Sequence, residues 1–253
     1  MPSALLLKLS QCRELSAEDQ ALLAQAVAHR RELAAKEDII RQGEPPADVH
    51  LVLDGFACRY KLMAGGKRAI IAYLVPGDFC DLHVGLLGKM DHSICTLQPS
   101  VIADLSRAQV ESLMRRPAIA HALRWSTLVD EATLREWLAN MGRRSADRQM
   151  AHLFCELRVR LAAVGAGARD GFRLPMTQEE LADTLGITTV HVNRVLQQLR
   201  DAELIRLAGR QLTIPDVAKL ESFAEFTPDY LHMRGETASG RPQHAGALQA
   251  GAA

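Results

Sequence analysis

Residues 176–206, MTQEELADTLGITTVHVNRVLQQLRDAELIR, decide how this chain is read. Thr177 followed by Glu180 is a capping box, in which the hydroxyl and the carboxylate each satisfy a free backbone amide, so a helix starts there. Leu181 and Leu185 lie four apart on one face, and Ala182 is small where a second helix must cross closely. Gly186 falls at the tight turn, where a positive φ costs glycine least. Ile187, Val192, Val195 and Leu199 restart a helical period, with Thr188 or Thr189 as the new N-cap. The remaining face carries Thr189, Val190, Asn193, Arg194 and Gln197. Amide and guanidinium groups make bidentate bonds to base edges in a major groove. The expectation is a helix-turn-helix that enters DNA.

Outward from this motif, Arg143, Arg144, Arg148, Arg158 and Arg160 cluster before it, and Arg194, Arg200, Arg206 and Arg210 lie in or after it. That clustering matters because the 253 residues carry a net charge of zero, which argues against a nonspecific nucleic-acid coat. Apolar residues make up 48%, enough for one or two real cores. No apolar run reaches membrane-spanning length, and Leu5–Leu7 is too short for a signal peptide, so no membrane partner is expected. Five cysteines, Cys12, Cys58, Cys80, Cys95 and Cys155, form no CxxC and are odd in number. They read as mostly packing residues in a reducing cytoplasm.

Residues 5–30 read as helical, with a capping-box-like start at Ser16 and Asp19. From about 33 to 105, short apolar runs alternate with turn signals such as Asp54-Gly55, Gly65-Gly66 and Pro76-Gly77-Asp78. Strands at that spacing suggest a small antiparallel barrel or roll. Residues 107–140 return to helix, with one long segment near 125–141 whose apolar stripe, Leu123 to Leu138, suggests a dimer-forming helix. A hinge at 142–145, a helix over 146–163 and a flexible loop at 165–171 follow. After the recognition helix, residues 204–207 and 211–214 read as a two-stranded wing, and a last helix starts at Pro215-Asp216. The Gly/Ala/Ser-rich residues from about 235 read as disordered. The expected division is an N-terminal helix and roll effector domain over 1–107, a dimerisation region over 108–142, a winged helix-turn-helix over 143–226 and a flexible tail over 227–253. The fold class is α+β, with an N-terminal antiparallel β-roll of cupin-like jelly-roll type.

Three segments in this order carry a resemblance: IIRQGEPPADVHLVLDG (39–55), YLVPGDF (73–79) and MTQEELADTLGITTVHVNRVLQQLRDAELI (176–205). Together they resemble the Crp/Fnr family of bacterial transcription regulators over about residues 10–225. The resemblance implies a homodimer that binds double-stranded DNA, with RNA polymerase as a further partner. It implies that Arg194 contacts a guanine, that Asn193 and Gln197 share the base-reading face, and that Thr188 and His191 touch phosphate. Thr189 and Val190 stand where other members often have an arginine and a glutamate. Val190 cannot accept a hydrogen bond but can pack on a thymine methyl.

The resemblance also implies an effector pocket, placed near Tyr73, Phe79, His83, His92 and Ser93. Cyclic-AMP-binding members follow Pro-Gly-Asp-Phe with Gly-Glu-Leu and use an Arg-Ser or Arg-Thr pair on the phosphate. Here the chain reads Phe79-Cys80-Asp81-Leu82-His83, and Asp91-His92-Ser93 replaces Arg-Ser. An imidazole is a poor substitute for a bidentate guanidinium, so cyclic AMP is not expected, and a different small effector or none takes its place. The cysteine spacing holds no iron-sulfur set. His50, His83 and His92 are haem candidates only in principle, and no cofactor or metal is expected. No nucleophile–base pair, phosphate loop or HExxH occurs, so an enzyme is not expected. The competing reading is a ligand-binding regulatory module whose C-terminal helices engage protein rather than DNA.

Overall fold

The computed structural model describes residues 3–82, 86 and 88–234. Two short helices open it, α1 (Ala4–Ser10) and α2 (Ala17–Ala26). The continuous helix expected over 5–30 is broken between them. Ser16 caps a new helix by accepting from the Asp19 amide at 3.1 Å, and Leu15 turns into the core. Seven strands follow: β1 (Arg30–Leu33), β2 (Asp38–Ile40), β3 (Asp48–Asp54), β4 (Ala57–Leu62), β5 (Arg68–Leu74), β6 (Ser93–Thr96) and β7 (Ser100–Ser106). They form two antiparallel sheets, ordered β1-β7-β3 and β2-β6-β4-β5. Leu33, Val52, Ala57, Leu74, Ile94 and Ile102 pack between them. This is the expected roll. Its first and sixth strands escaped the sequence reading, because β1 is mostly charged and β6 is buried at every position and shows no alternation.

Ser106 opens α3 (Arg107–Met114) with a capping box to Gln109. Pro117 then begins α4 (Pro117–Arg143) at its first position, where a missing amide costs nothing. The helical region expected over 107–140 is therefore two helices. One side of α4 lies on the roll: Ile119, Ala122 and Leu123 join Leu51, Phe79 and Leu105. Leu123 is thus a core residue of its own protomer rather than part of an open stripe. The open side carries Leu128, Leu134, Leu138 and Met141, each at least 50% exposed.

The rest comprises α5 (Ala146–Ala163), β8 (Gly171–Arg173), α6 (Gln178–Leu185), α7 (Thr189–Asp201), β9 (Arg206–Ala208), β10 (Gln211–Thr213) and α8 (Val217–Ala224). The wing has three strands, ordered β8-β10-β9, not two. The extra strand begins at Gly171, the end of the expected loop, where a Cβ would collide with the Leu212 carbonyl. Leu204 and Ile205 lie in the core instead of starting the wing. The expected flexible tail starts too early. Residues 228–231 form a 3-10 turn with Leu231 fully buried, and the Tyr230 hydroxyl donates to Glu156 Oε2 at 3.0 Å. Residues 235–253, expected to be disordered, lie outside the described residues.

A chain of buried charges joins the roll to the C-terminal half. Arg160 of α5 donates to Asp78 Oδ2 at 2.6 Å, to the Tyr73 carbonyl at 2.8 Å and to Glu156 Oε1 at 2.8 Å. Lys8 of α1 closes on Asp78 from the other side. Burial alone would raise the Asp78 carboxyl, but Lys8 and Arg160 outweigh it and bring the pKa down to about 2. Higher up, the hydroxyls of Tyr73 (β5) and Thr184 (α6) meet, and Arg68 Nε donates to Asp183 Oδ2 at 2.7 Å.

His152 of α5 is 1% exposed between Phe226 and Tyr230. Its Nε2 lies 3.2 Å from Glu136 Oε1, but Arg144 holds that carboxylate at 2.9 Å and the imidazole makes no aligned hydrogen bond. Burial first, and Arg144 second, lower its pKa from 6.5 to about 3. The unfolded chain therefore takes up a proton below about pH 6.5 that the folded chain refuses, and stability falls as pH drops through that window. Denaturant melts between pH 7 and 5 are expected to show this loss, and His152→Phe is expected to flatten it. An unchanged slope in the variant would refute the assignment.

Candidate nucleic-acid interface

Thr177 Oγ1 accepts from the Glu180 amide at 3.2 Å, and Glu180 returns a carboxylate to the Thr177 amide at 2.7 Å, so the capping box is complete. Gly186 ends α6 in the left-handed region at φ 66°. Thr188 is the cap of α7, accepting from the His191 amide at 3.2 Å. Leu181, Ala182, Leu185, Val192, Val195, Leu196 and Leu199 are all buried, which locks α6 and α7 into one unit.

The opposite face of α7 is open. Thr188, Thr189, Val190, Asn193, Arg194 and Gln197 are exposed, and His191 is half-buried. Val190 is 77% exposed on the same face as Asn193 and Arg194. Among the described residues, Asn193 and Arg194 engage no side chain. Gln197 does: it donates to Asp201 Oδ1 at 2.6 Å and accepts from Arg200 at 2.6 Å. Its amide would have to leave both neighbours to reach a base. Arg173, Arg206 and Arg210 are exposed on the wing strands or their turn. Arg173 went unnoticed in the sequence because residues 172–175, between the expected loop and the capping box, were given no element.

The arginine cluster before the motif is a different matter. Arg144 pairs with Glu136 at 2.9 Å, Arg158 with Glu221 at 2.7 Å, Arg160 with Asp78 and Glu156, and Arg148 with Glu225. Four of the five are thus paired with carboxylates, Arg148 at the surface and Arg144, Arg158 and Arg160 largely buried, leaving Arg143 exposed. The basic surface expected there is therefore mostly neutralised.

The second candidate site lies between the roll and α4. A cavity of about 220 Å³ is lined by Lys8, Phe79, Asp81, His92 and Thr127 among others, and a second of about 220 Å³ by Tyr73, His92, Leu134 and Trp137 among others. Arg59 of β4 borders both. It donates to the Cys80 carbonyl at 3.0 Å, the Phe79 carbonyl at 3.1 Å and Asp130 Oδ2 of α4 at 2.6 Å. The lining guanidinium and ammonium groups are thus already paired with carboxylates, and a phosphate in either cavity would find no unsatisfied cation among its described lining residues. The cradle does not fit a cyclic nucleotide.

Of the expected pocket residues, Phe79 and His92 do line this space, and His92 Nε2 is buried without a partner. Tyr73 lines the second cavity, but its hydroxyl is committed to Thr184. Ser93 does not line either cavity; it faces away and accepts from the Gln42 amide at 2.9 Å. His83 lies outside the described residues. His50 is held by Asp81 at 2.5 Å, and no group of three metal-ligating side chains occurs among the described residues. Arg59 and Asp130 were missed because they lie 71 positions apart, and no sequence motif marks the pair.

Residues 148–223 match the Crp-like helix-turn-helix domain, and residues 30–117 match the cyclic nucleotide-binding domain. The nitrogen fixation regulation protein FixK of Bradyrhizobium diazoefficiens is 27% identical over 199 residues, spanning 78% of this chain and 83% of that one. The transcriptional activator protein FnrL of Cereibacter sphaeroides is 29% identical over 216 residues, spanning 83% and 85%. The solved structure of FixK2 from Bradyrhizobium japonicum has the same fold, with a TM-score of 0.70 at 24% identity over 78% of this chain and 97% of that one. No described helix is long and apolar enough to cross a membrane. With a roll, a long connecting helix and an open recognition helix in that order, the chain belongs to the Crp/Fnr family and is a DNA-binding transcription regulator.

Proposed function

We propose that the regulator works as a homodimer in the cytoplasm, reads a near-palindromic operator through α7 and contacts RNA polymerase from the bound DNA. The observation that carries this reading is the open face of α7, with Asn193 and Arg194 free of side-chain partners among the described residues and Val190 77% exposed. The working division is an effector roll to about 107, a dimerisation region to about 142 and the DNA reader from 143. The exposed stripe of Leu128, Leu134, Leu138 and Met141 on α4 supports the dimer. Two such stripes would bury one another and leave polar residues at the rim.

In this dimer the two α7 helices lie about 34 Å apart, one turn of DNA, and half-sites are about 10 base pairs apart. Leu128→Glu is expected to give a monomer by light scattering and to abolish specific binding, because a carboxylate then faces its own copy across an apolar seam. A wild-type protein that is monomeric at micromolar concentration would contradict the seam.

Arg194 reads guanine, Asn193 adjoins an adenine, and Val190 packs on a thymine methyl. Thr188 and His191 hold phosphate, which fixes register without carrying sequence. Thr189 borders the same groove, and Gln197 contributes only if it releases Asp201 and Arg200. Arg194→Ala is expected to cost about 1–3 kcal/mol on the selected operator and to relax preference at one base pair. Equal weakening on every sequence, with a salt slope reduced by about one, would make Arg194 a phosphate contact instead.

The space beside Arg59 takes no cyclic nucleotide. Calorimetry with cyclic AMP is expected to show no heat of binding at micromolar concentrations, and saturable binding there would overturn this. Any effector of this cavity is small, and it meets Phe79 and the unpartnered Nε2 of His92.

A further inference from the structure

Cys58 on β4 and Cys95 on β6 stand directly opposite one another in an antiparallel pair, and their sulfurs are 3.6 Å apart. Opposed residues in such a ladder have Cα atoms about 4.5 or 5.5 Å apart, inside the roughly 4.4–6.8 Å range of disulfides. Closing a bond of about 2.05 Å therefore needs side-chain rotation and a small approach of two strands, not a new fold. The same rung continues to Tyr73, which faces Cys58 from β5 and whose hydroxyl meets Thr184 of α6. One strand position beyond the sulfur pair thus begins the contact that seats the DNA reader on the roll.

We propose that Cys58 and Cys95 are a dithiol modification site that a hydroperoxide oxidises to an intramolecular disulfide, and that closing it loosens α6 from the roll. The two thiols have different roles. Cys95 is 5% exposed and Cys58 fully buried, so oxidant arrives at Cys95. The hydrogen bond from Cys58, followed by the nearby Arg68, lowers the Cys95 thiol pKa against its burial, while the Cys58 thiol is held well above its usual value.

The Cys95 thiolate attacks a peroxide oxygen, the O–O bond breaks, and the alkoxide or hydroxide leaves with a proton. Cys95 is then a sulfenic acid. The Cys58 sulfur attacks it as its own proton departs, and hydroxide leaves to become water. Two thiols and one hydroperoxide give one disulfide, one alcohol or water, and one water. This site lies outside the operator-reading face and does not depend on how that face reads bases.

The full-length reduced protein is treated with hydrogen peroxide, blocked with an alkylating agent and digested with trypsin without reduction. Cleavage after lysine and arginine leaves Cys58 in residues 42–59 and Cys95 in residues 90–107, each the only cysteine of its peptide. The expected result is a linked 42–59/90–107 pair that disappears with dithiothreitol and is absent from Cys58→Ser. DNA selected from a random pool by the reduced protein is expected to bind the oxidised wild type at least tenfold more weakly, recover with dithiothreitol, and be indifferent to peroxide in Cys58→Ser. Separately alkylated or over-oxidised cysteines, or a link to Cys12, Cys80 or Cys155, would overturn the site. A linked pair with unchanged DNA affinity would overturn its connection to α6. The peptide map uses no DNA, so a failed operator assignment leaves it intact.

Discussion

The fold hangs on a buried relay of charge: Lys8, Asp78, Arg160 and Glu156, in contact one after the next. Ions removed from water are costly, and they persist inside a protein only when each is paired and its remaining bonds are filled. Here Asp78 also accepts from the Val75 amide, Arg160 donates to the Tyr73 carbonyl, and Glu156 accepts from Trp137 Nε1 and the Tyr230 hydroxyl. The relay therefore fixes five separate segments at one point: α1, the turn after β5, α4, α5 and the last 3-10 turn. Removing one member strands a buried charge, a change that typically costs about 3–5 kcal/mol. That asymmetry, more than the gain from any single pair, keeps the two halves of the molecule in one arrangement.

A neutral chain can read DNA because charge is allocated by position. Arg144 at the end of α4 sits against Glu136 of the same helix, and Arg158 and Arg160 of α5 sit against carboxylates of α8 and the roll, where they hold segments together. The arginines of α7 and the wing face solvent. Net charge and local clustering in sequence do not distinguish the two uses. What distinguishes them is whether a carboxylate stands within reach in three dimensions.

The helix-turn-helix was legible down to single residues. Its caps, its turn glycine and its buried apolar set are local rules acting within about thirty positions, and Thr177, Gly186 and Thr188 each do what their types predict. The roll was legible where strands alternate or end in glycine turns, as around Asp54-Gly55. It failed at β1 and β6, where a mostly charged strand and a strand buried at every position leave no alternation to read. The pocket was the least legible part. Arg59, Asp130 and the Cys58–Cys95 pair are brought together by strand register and by the docking of α4, which no short window of sequence contains. Tyr73 and Ser93 were named by position in a resemblance, and their hydroxyls turn to α6 and to the Gln42 amide instead.

Arg59 joins β4 to α4 at the place where a diffusible molecule would otherwise link the two. A group tethered to the backbone has an effective concentration set by geometry, and it neither rises nor falls with the cell's metabolite pools. A small molecule entering this space meets a link between β4 and α4 that is already made, so it acts by competing with Asp130 for Arg59 and not by supplying the first bridge.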